Sequence, residues 1–149
     1  MKPVSEEKLV LLSHKDCVRF ALFCAEQVKE GWKGIPECVV AIETVERWLK
    51  GKAAEEECVN AAYTASAAAN AAYAAAVAAN AAYTAAVAAY SAAYADAAHA
   101  AVHAANAAYY ATSAAADGKS HLIEAQRNYY LELLHFDDIA EKLLLGATI

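Results

Sequence analysis

Between Asn60 and Tyr90 the chain has no charged residue, no glycine, no proline, no leucine and no isoleucine. Each absence removes an option. Without proline or glycine nothing punctuates the segment as loops or turns. Without leucine and isoleucine it cannot build an ordinary aliphatic core, since alanine adds little apolar area at about 25 cal/mol per Å². The rest of the chain is equally bare of familiar signatures. No strand-like alternation of apolar and polar residues occurs. None of a C-x-x-C pair, a glycine-rich phosphate loop, a Ser-His-Asp order, a paired-carboxylate motif or a kinase motif stands out, so catalysis is not expected and no cofactor or metal is implied. The net charge of −6 argues against a nucleic-acid partner, which needs a basic face. The opening residues Met1 to Glu7 carry charge where a signal peptide needs an apolar run. With four cysteines (Cys17, Cys24, Cys38, Cys58) in a long helical chain, reduced and buried thiols in a cytoplasmic protein are expected.

What fills the segment is alanine, with Asn-Ala-Ala-Tyr returning at 60, 70 and 80. Four roles compete: an ice-binding rod, a fibre, a membrane span and the packed centre of a bundle. A ten-residue repeat falls about 80° short of three helical turns. Tyr63, Tyr73 and Tyr83 therefore wind around a helix rather than line one side. Thr64, Thr84 and Thr112 do not give the near-11-residue spacing of a flat face. A membrane span needs about 20 strongly apolar residues, and here Asn, Tyr, Ser and Thr interrupt every turn. The bundle centre remains.

The flanks support it. Ser13 to Asp16 forms a variant capping box opening a helix with Cys17, Phe20, Ala21, Cys24 and Val28 inward, stopped at Gly31. A short helix over 5–12 precedes it. Pro36 suits the first turn of the next helix, which presents Val39, Ile42, Val45, Trp48 and Leu49 and ends at Gly51. Residues 53–116 hold four charges, Glu55, Glu56, Glu57 and Asp96. The three glutamates suit the positive end of a helix dipole. One helix over this span would approach about 100 Å, so at least one break is expected, at Ser91, Asn70 or Asn80. Asp117-Gly118 is expected to end the alanine-rich part. Ser120 then caps a helix with Leu122, Ile123, Gln126, Tyr129, Tyr130, Leu133 and Leu134 on one face, and Asp137-Asp138 restarts a last short helix. The expected fold is one all-α domain over 1–149, a compact bundle of five to seven helices. It divides into N-terminal helices (1–52), closely packed alanine-rich helices (53–116) and C-terminal helices (117–149).

The later alanine-rich residues carry a pattern. Tyr83, Tyr90 and Tyr94 fall within about 40° of one another on a helix, and Asp96, His99, His103, Asn106 and Tyr110 within about 80°. This polar stripe either bonds neighbouring helices, in keeping with the need of buried polar groups for partners, or faces a ligand. Asp96-x-x-His99-x-x-x-His103 has metal-compatible spacing, with His14, His121 or Cys58 as conceivable further ligands. A satisfied polar seam is the plainer reading. Cys17 and Cys24 with His14 permit a Cys–His pair, although packing thiols are the simpler account.

Three pieces also resemble a known group. They are Phe20-Ala21-Leu22-Phe23-Cys24-Ala25-Glu26, then Ala41-Ile42 with Arg47-Trp48-Leu49-Lys50-Gly51 leading into the alanine-rich region, then Glu124-Ala125-Gln126-Arg127 with Leu131, Leu133 and Leu134 behind it. This layout resembles the immunity proteins of bacterial polymorphic-toxin systems, the immunity-protein-five-like group. The resemblance implies a non-catalytic protein that neutralises a toxin by direct binding. Where the group mixes Arg, Asp and His into this region, the present chain uses Asn and Tyr. The alternative is a protein that sequesters a nucleotide signal, such as a phage anti-defence sponge, with the stripe residues lining its pocket. A homo-oligomer is a third possibility, because alanine faces also pack between subunits.

Overall fold

The computed structural model describes residues 4–71, 76–93, 96–111 and 116–144, with the backbone alone at 70, 71, 76–79, 82, 93, 116, 117 and 136–144. The described residues form eight helices and no strand: α1 (Glu6–Leu9), α2 (His14–Gln27), α3 (Lys29–Trp32), α4 (Pro36–Leu49), α5 (Glu55–Ala71), α6 (Ala76–Ala93), α7 (Ala97–Ala111) and α8 (Ala116–Leu144). The count exceeds the expected five to seven. The difference includes α3, a single turn at Gly31, where α2 was expected simply to stop.

The helix ends follow from local chemistry. The Ser13 hydroxyl accepts the Asp16 N–H at 3.2 Å and opens α2. The helix ends before Gly31, at Gln27, because its exposed carbonyls find other partners. The Trp32 indole N–H donates to the Ala25 carbonyl at 2.7 Å, and the Val28 N–H donates to the same oxygen. Pro36 occupies the first turn of α4. Gly51, at φ 73°, closes α4 with two bonds: Lys52 N–H to Arg47 carbonyl at 2.7 Å and Gly51 N–H to Trp48 carbonyl at 2.9 Å. This is the left-handed glycine stop of a Schellman motif.

The described helices of the alanine-rich part are α5, α6 and α7; α5 is described to Ala71, one residue past Asn70, and Asp96 lies outside any helix just before α7. Ser91 and Asn80, two of the expected break points, lie within α6. Ser91 is buried, and its hydroxyl donates back to the Ala88 carbonyl at 2.6 Å, so it needs no partner outside its own helix. Neither Asp117-Gly118 nor Asp137-Asp138 divides the C-terminal region, and Ser120 does not cap: α8 runs through all three. A glycine inside a helix costs about 1 kcal/mol. Burial of Leu122, Ile123, Tyr130 and Leu133 on the same helix outweighs it.

α6 is the hub. It packs against α2, α3, α4, α5 and α7, and its residues 84–89, 91 and 92 are all buried. Small side chains let backbones approach closely. The approach is tightest at Gly31, where an added Cβ would collide with the Ala81 Cβ. Larger side chains fill the other half of the core: Leu9, Val18, Phe20 and Val45 are fully enclosed. The expected inward faces of α2 and α8 hold, with Phe20, Ala21 and Cys24 fully buried and Gln126 at 1% exposure. Gln126 donates to the Gln27 side-chain carbonyl at 3.0 Å, and Gln27 donates to the Leu122 carbonyl at 3.2 Å, tying α8 to α2. Among the described residues no helix is long and apolar enough to cross a membrane.

Candidate functional site

Alanine favours helix more than any other residue, and nine of the fifteen residues of α7 are alanine. Its start is set by Asp96, whose carboxylate accepts the His99 backbone N–H at 3.0 Å. From that cap the helix turns Ala97, Ala98, Ala101, Ala104, Ala105 and Ala108 inward. Asp96, His99, His103, Asn106 and Tyr110 all lie exposed on one side, while Ala100, Val102 and Tyr109 are half-buried. The stripe seen in the sequence is therefore the outer face of α7, an open surface rather than a seam between alanine helices.

The stripe has internal order. His99 Nδ1 meets the Glu6 carboxylate at 3.0 Å, joining α7 to α1. His103 Nε2 lies 3.0 Å from His99 Nε2, with the two rings edge to face. A carboxylate only accepts, so the Glu6 contact places a proton on His99 Nδ1. With that proton on Nδ1, the neutral form of His99 keeps its lone pair at Nε2, and the bond to His103 then runs from the His103 Nε2–H.

Tyrosines extend the exposed surface. Tyr63 on α5 is 60% exposed, Tyr83 on α6 44% and Tyr110 on α7 63%. Tyr90 is half-buried and meets Tyr63 edge to face at 5.9 Å. At the end of α7, Tyr109 packs edge-on against Tyr110, and the Lys119 ammonium lies 4.5 Å from the Tyr109 ring centre. Tyr94 and Tyr73 fall outside the described residues.

Of the expected site residues, Asp96, His99, His103, Asn106 and Tyr110 thus share a face of α7, while Tyr83 and Tyr90 belong to α6. The extra ligands considered for the histidines go elsewhere. His14 bonds the Ala92 carbonyl at 3.3 Å and lies against Trp48, and Cys58 is fully buried. The group that does reach His99 is Glu6, 93 residues away in sequence. Sequence spacing could not show it, because the contact depends on how α1 docks.

The thiols are sealed. None of the four cysteines is in a disulfide, and all four are buried. Burial pushes Cys38 and Cys58 up to about 11, helped by the neighbouring Glu37 and Glu57, and raises Cys24 further still. The Cys17 thiol donates to the Leu9 carbonyl at 3.2 Å. A protonated, enclosed thiol is the opposite of an activated nucleophile, and His14 faces Ala92 and Trp48 rather than serving as a base.

Two shallow grooves lie along α2, away from the stripe. One, of about 260 Å³, runs between Glu26, Trp32 and Glu43; the other, of about 220 Å³, lies beside Phe23 and Tyr129. Both are smaller than the roughly 300–1,000 Å³ usual for small-molecule sites.

Searches against family models, curated proteins and solved structures give no match to this chain.

Proposed function

We propose that this chain is a non-catalytic binding protein that neutralises a bacterial toxin by covering part of its surface. The observation that carries the reading is the outward display of Tyr63, Tyr83 and Tyr110 on alanine-rich helices. Tyrosine is among the residues that dominate protein interfaces, where a few anchors supply most of the energy. On these helices a large aromatic side chain contributes nothing to the core when it points outward. The net charge of −6 suits a basic partner. Enclosed, protonated thiols fit a protein without a cysteine-based reaction and a reducing compartment such as the cytoplasm. The resemblance of its Cys-Ala-Glu, Trp-Leu-x-Gly and Glu-x-Gln pieces to immunity proteins points the same way.

The test is co-expression with toxin candidates, beginning with any encoded beside this gene. The wild-type chain should restore growth, and a Tyr63→Ser, Tyr83→Ser, Tyr110→Ser variant should fail to do so while remaining folded by circular dichroism. Equal protection by both would remove the tyrosine surface from the account. The alternative, a sequestering protein for a nucleotide signal, uses the same His, Tyr and Asn side chains. On the open face of one chain they would need a second copy or a mobile cover to enclose a ligand.

A further inference from the structure

The His99–His103 pair invites a chemical question that toxin binding does not answer. We propose that these two residues form a zinc-binding site, with Glu6 as the carboxylate that orients His99. The argument is geometric. Two histidines one turn apart present their Nε2 atoms to each other at 3.0 Å; once His103 carries its proton on Nδ1 instead, a single ion can meet both Nε2 lone pairs at that separation, given Zn–N bonds of about 2.0–2.1 Å. Bound histidines characteristically donate their other ring N–H to a carboxylate, which fixes the tautomer and strengthens the ligand. His99 meets that condition without a metal: its Nδ1 is 3.0 Å from Glu6 Oε1, so its Nε2 is left as the lone-pair nitrogen. Asp96 adds a second negative charge, since its carboxylate, that of Glu6 and a His99 ring nitrogen lie within 4.8 Å of one another. The site is exposed, so water can fill the remaining positions.

Imidazole with nearby carboxylate suits zinc better than calcium or magnesium, which prefer all-oxygen sites. Because Glu6 on α1 holds His99 of α7 through its Nδ1–H, ion binding at Nε2 would strengthen that contact between the two helices. The site needs no toxin partner, and its test is independent of the proposed function.

The test titrates the intact protein with zinc chloride by calorimetry, and with cobalt(II) to read the ligand type by absorption. The expected result is one ion per chain, a cobalt spectrum without a thiolate charge-transfer band, and a melting temperature raised by zinc. His103→Ala should weaken binding more than tenfold and abolish the thermal shift. Glu6→Gln should weaken it about tenfold, as loss of an orienting carboxylate does elsewhere. Both positions are exposed, so circular dichroism of the variants should match the wild type. Absence of saturable uptake, uptake unchanged in His103→Ala, or a thiolate band would each overturn the site.

Discussion

At the scale of single residues the cysteines give the clearest test of the packing. Their burial has a sign that can be worked out. A thiol ionises near 9.0 when exposed, while Cys38 and Cys58 in the fold are pushed up to about 11 and Cys24 higher. Above pH 9 the unfolded chain therefore loses thiol protons first. Stability is fully present below pH 9 and falls as pH rises toward 11. Thermal melts should show a lower midpoint at pH 10.5 than at pH 8. At neutral pH, Ellman's reagent should label none of the four thiols quickly and all of them once denaturant is added; rapid labelling of the native protein would contradict the enclosed core.

Gly31 supplies a second residue-scale expectation. A methyl group there meets the Ala81 Cβ, which belongs to a helix backbone and cannot swing away. Gly31→Ala should destabilise by about 1–3 kcal/mol, the usual cost of overpacking, measured by urea denaturation. An unchanged midpoint would mean that α3 and α6 have room between them.

At the scale of elements, α6 decides the fold. Its hydroxyls are satisfied within the helix: Thr84 donates to Ala81 and Ser91 to Ala88, each at 2.6 Å. Ser91→Ala should therefore change stability by no more than about 1 kcal/mol. Ala85 is fully buried, and Ala85→Leu should cost more than any serine or threonine removal, about 1–3 kcal/mol or beyond. A chemical-denaturation series on these two variants separates an alanine-packed centre from one held by polar bonds.

The same helices explain what the sequence disclosed. Periodicity was legible: the inward face of α2, the Pro36 start, the Gly51 stop and the shared face of Asp96, His99, His103, Asn106 and Tyr110 all follow from local chemistry. Depth was not. Alanine gives no contrast between an inner and an outer side, so the spacing that grouped the stripe could not say that it faces outward. The helix limits were only partly legible. Asn70 lies one residue before Ala71, the last described residue of α5, but the start of α7 is marked by Asp96, an N-cap hidden by its other reading as a metal ligand. Gly118 misled because one glycine is a weak stop against a well-buried helix. The Glu6–His99 contact had no local signal at all.

At the scale of the whole molecule, the fold separates two tasks. α2, α4 and α6 hold the core, while α5 and α7 carry Tyr63 and Tyr110 outward at the surface. An interface of standard size buries about 1,600 Å² in total, and the chain exposes 8104 Å² in all, so half of that area on one partner is a modest share of its surface. If the exposed tyrosines are the anchors of the proposed interface, their display on a compact scaffold means that little freedom would be lost on binding, which would favour affinity.

The most direct test is native mass spectrometry of the purified chain mixed with the toxin candidate of the growth assay. The account predicts a discrete complex at the summed mass of the two proteins, lost in the Tyr63→Ser, Tyr83→Ser, Tyr110→Ser variant. The contradicting result is a chain that forms no protein complex and instead retains an excess mass of a few hundred daltons, released on unfolding.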